Sequence, residues 1–448
     1  MFLEVTPRPR MLFKSQKLGA VLSLVCAASM WFYVDRILVP FQQADAAAHG
    51  RPRGNLSDLY PRWLGTRELL LHHHNPYSRE ITQEIQTGYY GRALDPNRPG
   101  DPRDQQGFAY PVYVAFLLAP TITFPFAKVA LVFKWLLIVV TALSVVLWVK
   151  VLGWKPDAFG WTTTIALTLG SFPVLQALHL QQLTLVVGAL LAGASALLIA
   201  GQLFWAGVVL AIATIKPQLV LPIALYLVLW AISDWKGRRT FLFGFGGVLL
   251  ALLAGAEVLL PGWFGSFLGA TADYRRYTGG LSLLDVLLGP TLGGFVAFLV
   301  LVAVLVACLR FRDEQPGTPE FSVMLALALA TTVVVIPMFA LYNTFLLLPA
   351  VLLIVQHWRR LWNAGGLSRV GLTLTAVAVV WPWVAAVGLF LASVILSPAA
   401  IQEGWWLPLS SSLKIPIPLV CLLPLTFMVI WAWRKEDAPV SVRQSSAA

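Results

Sequence analysis

The chain is a succession of apolar runs, each close to the length of a bilayer-crossing helix, and that spacing constrains its fold more than any motif does. A helix crosses the hydrocarbon core with roughly 20 apolar residues, 17–25 being the usual range. Runs of this kind occupy 18–38, 129–152, 160–179, 182–200, 203–217, 218–233, 240–259, 290–309, 321–337, 340–357, 370–397 and 415–433. They predict an all-α polytopic membrane protein with about 12 transmembrane helices. The stretch 203–233 also admits one bent unit, with Pro217 and Pro222 at the bend. Composition agrees, since 58% of residues are hydrophobic and only 12% charged, about half the charged share of a soluble domain. Lipid accepts the apolar side chains while each helix satisfies its own backbone. Many of the 18 Trp sit at run ends, among them Trp31, Trp154, Trp161, Trp358, Trp405 and Trp433, where an indole meets the headgroups.

The net charge of +11 does not point to nucleic acid. The basic residues form short clusters beside apolar runs and not one basic face. Arg8, Arg10, Lys14 and Lys17 precede the first run, which places the amino terminus in the cytoplasm by the positive-inside rule. Lys150 with Lys155, Lys236-Gly237-Arg238-Arg239, Arg310 with Arg312, Arg359-Arg360 with Arg369, and Arg434-Lys435 all fall on that same side of an even-numbered bundle. The expected location is the inner (plasma) membrane, with both termini cytoplasmic. The run from Leu18 to Val34 is long enough to anchor and is followed directly by Asp35-Arg36, so a cleaved signal peptide is not expected. Cys26, Cys308 and Cys421 lie inside apolar runs and read as small hydrophobes.

One segment resists the even count. Tyr110 to Phe126 is apolar but short, and it carries Pro111, Pro120 and Pro125. Counted as a crossing it would invert everything after it, so it reads as a re-entrant or broken segment, with thirteen spans as the alternative. Irregular backbone at membrane depth survives only where it lines protein or a water-filled cavity, which marks a site. The organisation that follows is a membrane module over 1–258, holding a long first outer loop at 39–108. A second module covers 259–433 with an outer loop at 260–289, and 434–448 forms a disordered cytoplasmic tail. The first loop balances eight basic residues against eight acids.

Several residues there could carry chemistry. Asp58 opens a segment, Leu59-Tyr60-Pro61-Arg62-Trp63, that could run on as an interfacial helix. A helix cap is the plain reading, and a general base that deprotonates an attacking hydroxyl is the other. His72-His73-His74 suggests a metal, but consecutive side chains on one helix diverge, so none is expected. One of them, His74, facing a phosphate is preferred. Asn75-Pro76-Tyr77 is a turn signal, and Arg62 is a further cation in the loop. Gln181-Gln182 sits between two spans, as an ordinary polar loop or as a ligand for substrate. Lys216, between Ile215 and Pro217, is costly in lipid unless it snorkels or faces an anionic group in a cavity. Asp273-Tyr274-Arg275-Arg276-Tyr277 reads equally as a phosphate grip or a solvated loop.

These pieces come in a telling order: Asp58 in the first outer loop, Asn75-Pro76-Tyr77, Phe108-Ala109-Tyr110-Pro111, Gln181-Gln182, and Lys216-Pro217. Over roughly residues 10–240 the order resembles glycosyltransferase family 87, formerly DUF2029, membrane enzymes of the GT-C type. The resemblance implies transfer of a sugar, usually mannose, from a polyprenyl-phosphate carrier to a lipid or glycan acceptor on the outer face. It implies Asp58 as the base and places Tyr110-Pro111 and Lys216-Pro217 at the family's Tyr-Pro and Lys-Pro positions. Val112 stands where the family has a second proline, and Gln181-Gln182 where it has Gly-Gln. The expected substrate-binding set is Arg62, His74, Asn75, Tyr77, Tyr110, Gln181, Gln182, Lys216, Arg275 and Arg276. No cofactor, metal or nucleic acid is expected.

Two other classes compete. A transporter or flippase of a lipid-linked substrate would place broken helices and ionisable residues in paired halves, and Lys216 and Glu257 have no second-half counterparts. A non-catalytic assembly partner is the third. The topology is testable directly. In an Asn97→Cys variant, an impermeant thiol reagent is expected to label intact cells, and in Ser441→Cys only permeabilised ones. The reverse pattern inverts the assignment.

Overall fold

The computed structural model describes residues 9–52, 54, 57–95, 97–98, 100–102, 104–412, 416 and 423. Every regular element among these is helical, as backbone in lipid requires. The chain enters through α1 (Pro9–Phe32), winds through a π-helical stretch (Tyr33–Leu38) and continues as α2 (Val39–Ala48). The long first loop folds into α3 (Leu59–His72) and α4 (Arg79–Tyr90). The apolar segment after it forms only α5 (Val114–Leu118) and a 3₁₀ turn (Ala119–Thr121), too short to cross a bilayer. Next come α6 (Phe126–Val151), α7 (Ala158–Leu169), α8 (Phe172–His179), α9 (Thr184–Ile199), α10 (Leu203–Ala213), α11 (Pro217–Ser233) and α12 (Trp235–Leu259). The segment expected as a second outer loop holds α13 (Trp263–Thr278) and α14 (Leu283–Leu288). The chain closes with α15 (Pro290–Arg310), α16 (Pro319–Val335), a 3₁₀ stretch (Leu341–Leu347), α17 (Leu348–Asn363), α18 (Gly366–Ala392) and α19 (Pro398–Gln402).

The expected count of about twelve is not confirmed. Among the described residues, six helices are long and apolar enough to cross a membrane, or seven if the α7–α8 pair, bent by 54°, is one span. The difference lies in how apolar runs are cut. Pro173 near the start of α8 cannot donate to the preceding turn, and the helix bends there. Lys216 and Pro217 divide 203–233 into α10 and α11, as the separate runs 203–217 and 218–233 anticipate, but each piece is short. The four helices α9, α10, α11 and α16 are apolar but only 11–17 residues long. The first span also runs past Asp35-Arg36, since Gln16–Ala48 is one apolar helix of 33 residues. The expected span 415–433, apart from two isolated residues, and the tail beyond Arg434 lie outside the described residues.

The surface is turned inside out relative to a soluble protein. Leu131, Val132 and Trp135 on α6, Leu250 on α12, and Phe295 and Phe298 on α15 are all exposed, a surface that lipid covers. The chain is a membrane protein. In the middle, α16 is buried along almost its whole length and packs on α11, α15 and α17.

Helices α10 and α12 pack extensively against each other. A Cβ on Gly207 would meet the Phe241 carbonyl at 2.2 Å, and one on Gly244 would meet the Phe204 carbonyl at 2.1 Å. Small residues let two backbones approach where lipid offers no hydrophobic drive for association. Gly244→Ala is expected to destabilise by about 1–3 kcal/mol through overpacking, lowering the melting temperature in detergent. Gly246→Ala, whose new methyl meets nothing within 4 Å, is expected to melt like the parent.

Candidate active site

The site forms where three chain breaks meet. Residues 57–58, just before α3, are tied to the loop between α8 and α9. The Asp58 amide donates to the Leu180 carbonyl at 2.8 Å, and the Ser57 hydroxyl donates to Gln181 Oε1 at 2.5 Å. Gln181 has a left-handed φ of +52° and anchors its own amide on the Ala130 carbonyl at 2.5 Å. With Gln181 turned back in this way, its neighbour Gln182 projects forward, and its Nε2 donates to Asp58 Oδ2.

Asp58 stands at the N-cap position of α3 but caps nothing. Capping needs an extended backbone so that the side chain can reach the next amides, and Asp58 is already helical at φ −68°, ψ −7°. Its carboxylate turns to the cavity instead. One turn on, the Arg62 guanidinium bonds the Asp58 carbonyl at 2.8 Å and lies over the Tyr110 ring at 4.6 Å. Its Nε is buried without a hydrogen-bond partner.

Lys216 comes from the second break, between α10 and α11. The side chain is 6% exposed, and its Nζ donates to Gln182 Oε1 at 3.0 Å and Thr184 Oγ1 at 2.8 Å. Thr184 donates in turn to Asn343 Oδ1 at 3.1 Å. Two rings flank the ammonium, Tyr342 at 5.1 Å and Tyr110 at 5.8 Å, a cation–π arrangement suited to a desolvated charge. Asp58, Gln182, Lys216, Thr184 and Asn343 therefore form one polar chain across otherwise apolar helices.

Around this chain lies a cavity of about 640 Å³, within the roughly 300–1,000 Å³ of small-molecule sites. Asp58, Arg62, Asp104, Lys216 and Arg275 supply its charged lining, and Phe267, Leu281, Val286, Ile336 and Phe339 an apolar wall. Asp104 accepts from the Gln106 amide at 3.0 Å and from Gln106 Nε2 at 2.9 Å. Burial raises the carboxyl pKa of Asp104. The same cause pushes Asp58 up to about 6, with Arg62 opposing the rise and Asp104 adding to it.

Of the residues singled out from the sequence, Asp58, Arg62, Tyr110, Gln182, Lys216 and Arg275 line the cavity. Gln181 stands behind it as the anchor just described. Tyr77 supports the wall from outside, its hydroxyl donating to the Tyr110 carbonyl at 2.6 Å. Asn75 accepts from the Tyr77 amide at 2.9 Å in a local turn. Arg276 points away and pairs with Asp273 on the surface at 2.5 Å. His74 is also elsewhere: it and His72 both reach the Glu68 carboxylate. The expected divergence of the three histidines fails because His73 has a left-handed φ of +57°, which brings its two neighbours to one side. Gln106, Tyr342 and Asn343 were not singled out. A Tyr-Asn pair inside an apolar run six residues after the Ile336-Pro337 break is the signal that marks the last two.

A family model described as Glycosyltransferase family 87 matches residues 108–337, just over half of the 448-residue chain. The matched stretch contains Tyr110, Gln182, Lys216 and Arg275, while Asp58 and Arg62 precede it. Among curated proteins and solved structures, nothing matches the chain.

The raised carboxyl is measurable without any assay of turnover. A protonated-carboxyl stretch in infrared difference spectra is expected to appear as pH falls through about 6 and to be missing in Asp58→Asn. An aspartate with the ordinary value near 3.9 would show no band until well below that.

Proposed function

The chain belongs to glycosyltransferase family 87, and from that membership we propose that it transfers a hexose, mannose in our reading, from a polyprenyl-phosphate carrier to a hydroxyl of a lipid or glycan acceptor. The transfer takes place on the extracytoplasmic face of the plasma membrane. The observation that carries this reading is a carboxylate free of any capping duty in one cavity with the cations Arg62, Lys216 and Arg275. A sugar phosphate needs such a pairing: a base for the incoming hydroxyl and positive charge for the departing phosphate.

In the proposed reaction the acceptor oxygen attacks the anomeric carbon while Asp58 takes its proton. The bond from that carbon to the phosphate oxygen breaks, and the phosphate leaves with the electron pair. One displacement inverts the anomeric centre. Arg62, with its unpartnered Nε, can hold the phosphate as a fork, and Lys216 as a point charge. The apolar wall of Phe267, Val286, Ile336 and Phe339 suits the first isoprene units of the carrier. A transporter of a lipid-linked substrate is the weaker reading, because the cavity's charged side chains all come from the chain before residue 276 and no second half mirrors them.

Asp58→Asn tests the base. It keeps the shape and loses the proton acceptor, and because Asp58 caps nothing the fold is expected to survive it. Turnover of a labelled polyprenyl-phosphate sugar by reconstituted protein is expected to fall about 10²–10⁴-fold, with an unchanged melting curve. In the parent the base works only when ionised, so the rate is expected to fall as pH drops through about 6. Near-parental turnover by Asp58→Asn would move the role to another group, with Asp104 next in line.

A further inference from the structure

At the far end of α3 from Asp58 sits a second cluster that the proposed transfer does not use. Glu68, in the last turn but one, is buried, its side chain 8% exposed, while His72 and His74 beside it are 49% and 59% exposed. His72 Nδ1 lies 2.8 Å and His74 Nδ1 3.2 Å from the same oxygen, Glu68 Oε2. All three ligand atoms fall within 4.8 Å of one another. A tetrahedral site with bonds of about 2.0–2.1 Å sets its ligands about 3.3 Å apart, so small rotations of two exposed rings would bring the three onto one ion.

The backbone holds this geometry in place. The amides of His73 and His74 both turn back to the Glu68 carbonyl, and the left-handed φ of +57° at His73 swings position 74 over position 72. His72 is one helical turn from Glu68, on the same face. Glu84 on α4 is close enough for its carboxyl to respond to Glu68, His74 and His72, which adds negative charge nearby. Arg67 acts on Glu84 from the same neighbourhood and offsets part of that charge.

We propose that Glu68, His72 and His74 form a divalent transition-metal site, with zinc as the fitting ion. Two imidazoles and one carboxylate suit Zn²⁺ over Mg²⁺ or Ca²⁺, which take oxygen ligands. Three protein ligands leave a fourth position for water. The site lies about 20 Å along α3 from Asp58, so the ion is a clip and not part of the reaction. It ties the end of α3 to the turn at Asn75 and Tyr77, and Tyr77 in turn supports the Tyr110 wall of the cavity.

The test uses full-length protein purified without a polyhistidine tag, stripped with chelator and reconstituted in nanodiscs. Calorimetric titration with Zn²⁺ is expected to show one ion per chain and a higher melting temperature, with no response to Mg²⁺. Co²⁺ is expected to give the intense visible absorption of a tetrahedral site. His72→Gln, at an exposed position, is expected to weaken Zn²⁺ binding by more than about 10-fold, since even loss of a group that only hydrogen-bonds to a ligand costs about 10–100-fold. His72→Gln/His74→Gln is expected to abolish it while circular dichroism stays unchanged. Folded parent protein that takes up no stoichiometric Zn²⁺ would overturn the site, leaving a hydrogen-bonded cluster only. So would equal binding by parent and double variant.

Discussion

Lys216 brings a charged group into the interior of an apolar bundle, and much of the architecture around the cavity serves to hold it there. An ion moved out of water loses several kcal/mol of solvation that only good hydrogen bonds and nearby opposite charge restore. Gln182, Thr184 and two tyrosine rings meet that need; the first two come from the α8–α9 break, and Tyr110 and Tyr342 from two further segments outside the long helices. Gln182 depends on the left-handed turn at Gln181, and that turn depends on the ties from Ser57 and Asp58. Thr184 opens α9 and leans on Asn343 from the second half of the chain. The conformations of five separate segments are thus coupled through one ammonium group.

The same demand explains why the helices near the site are short. A continuous helix spends its carbonyls and amides on itself and presents only side chains. Where α8 stops before α9, and α10 before α11, backbone groups are released to do other work, such as the Leu180 carbonyl that receives the Asp58 amide. The Tyr113 hydroxyl finds the Thr214 carbonyl in the same way, at 2.8 Å. The first break turns on Gln181 with its left-handed φ of +52° and the second on Pro217 at the start of α11; irregular backbone of this kind is tolerated where it lines protein or a cavity and not lipid.

Much of this was legible in the sequence. The apolar runs and their helical outcome correspond closely from α6 onward, because hydropathy over some twenty residues is a local and strong signal. Asp58, Tyr110, Gln182 and Lys216 could be picked out because a polar group beside or within an apolar run calls for an explanation. What hydropathy could not show is where a run is interrupted without a change in polarity. Pro173 reads as tolerable inside the expected span 160–179 and proved to be a boundary, whereas Pro217 falls at the division already expected between 203–217 and 218–233. Tyr342 and Asn343 were absorbed into an expected span for the same reason. The histidines were misjudged through an assumption about backbone: three in a row diverge on a regular helix, but one left-handed residue between the outer two removes that rule. Arg275 and Arg276 show the reverse limit, since adjacent residues on α13 face opposite ways and the sequence treats them alike.

The side-chain amide of Gln182 has a further consequence. It stands between an acid and a base, donating to Asp58 and accepting from Lys216, and so keeps the two from closing into a direct ion pair. Were they in contact, each would quench the other: the carboxylate would lose its proton affinity and the ammonium would have no free charge left for an incoming anion. A neutral spacer with one donor end and one acceptor end insulates them while keeping both in register. It can do so in only one orientation, so a single amide plane sets the polarity of the whole pocket.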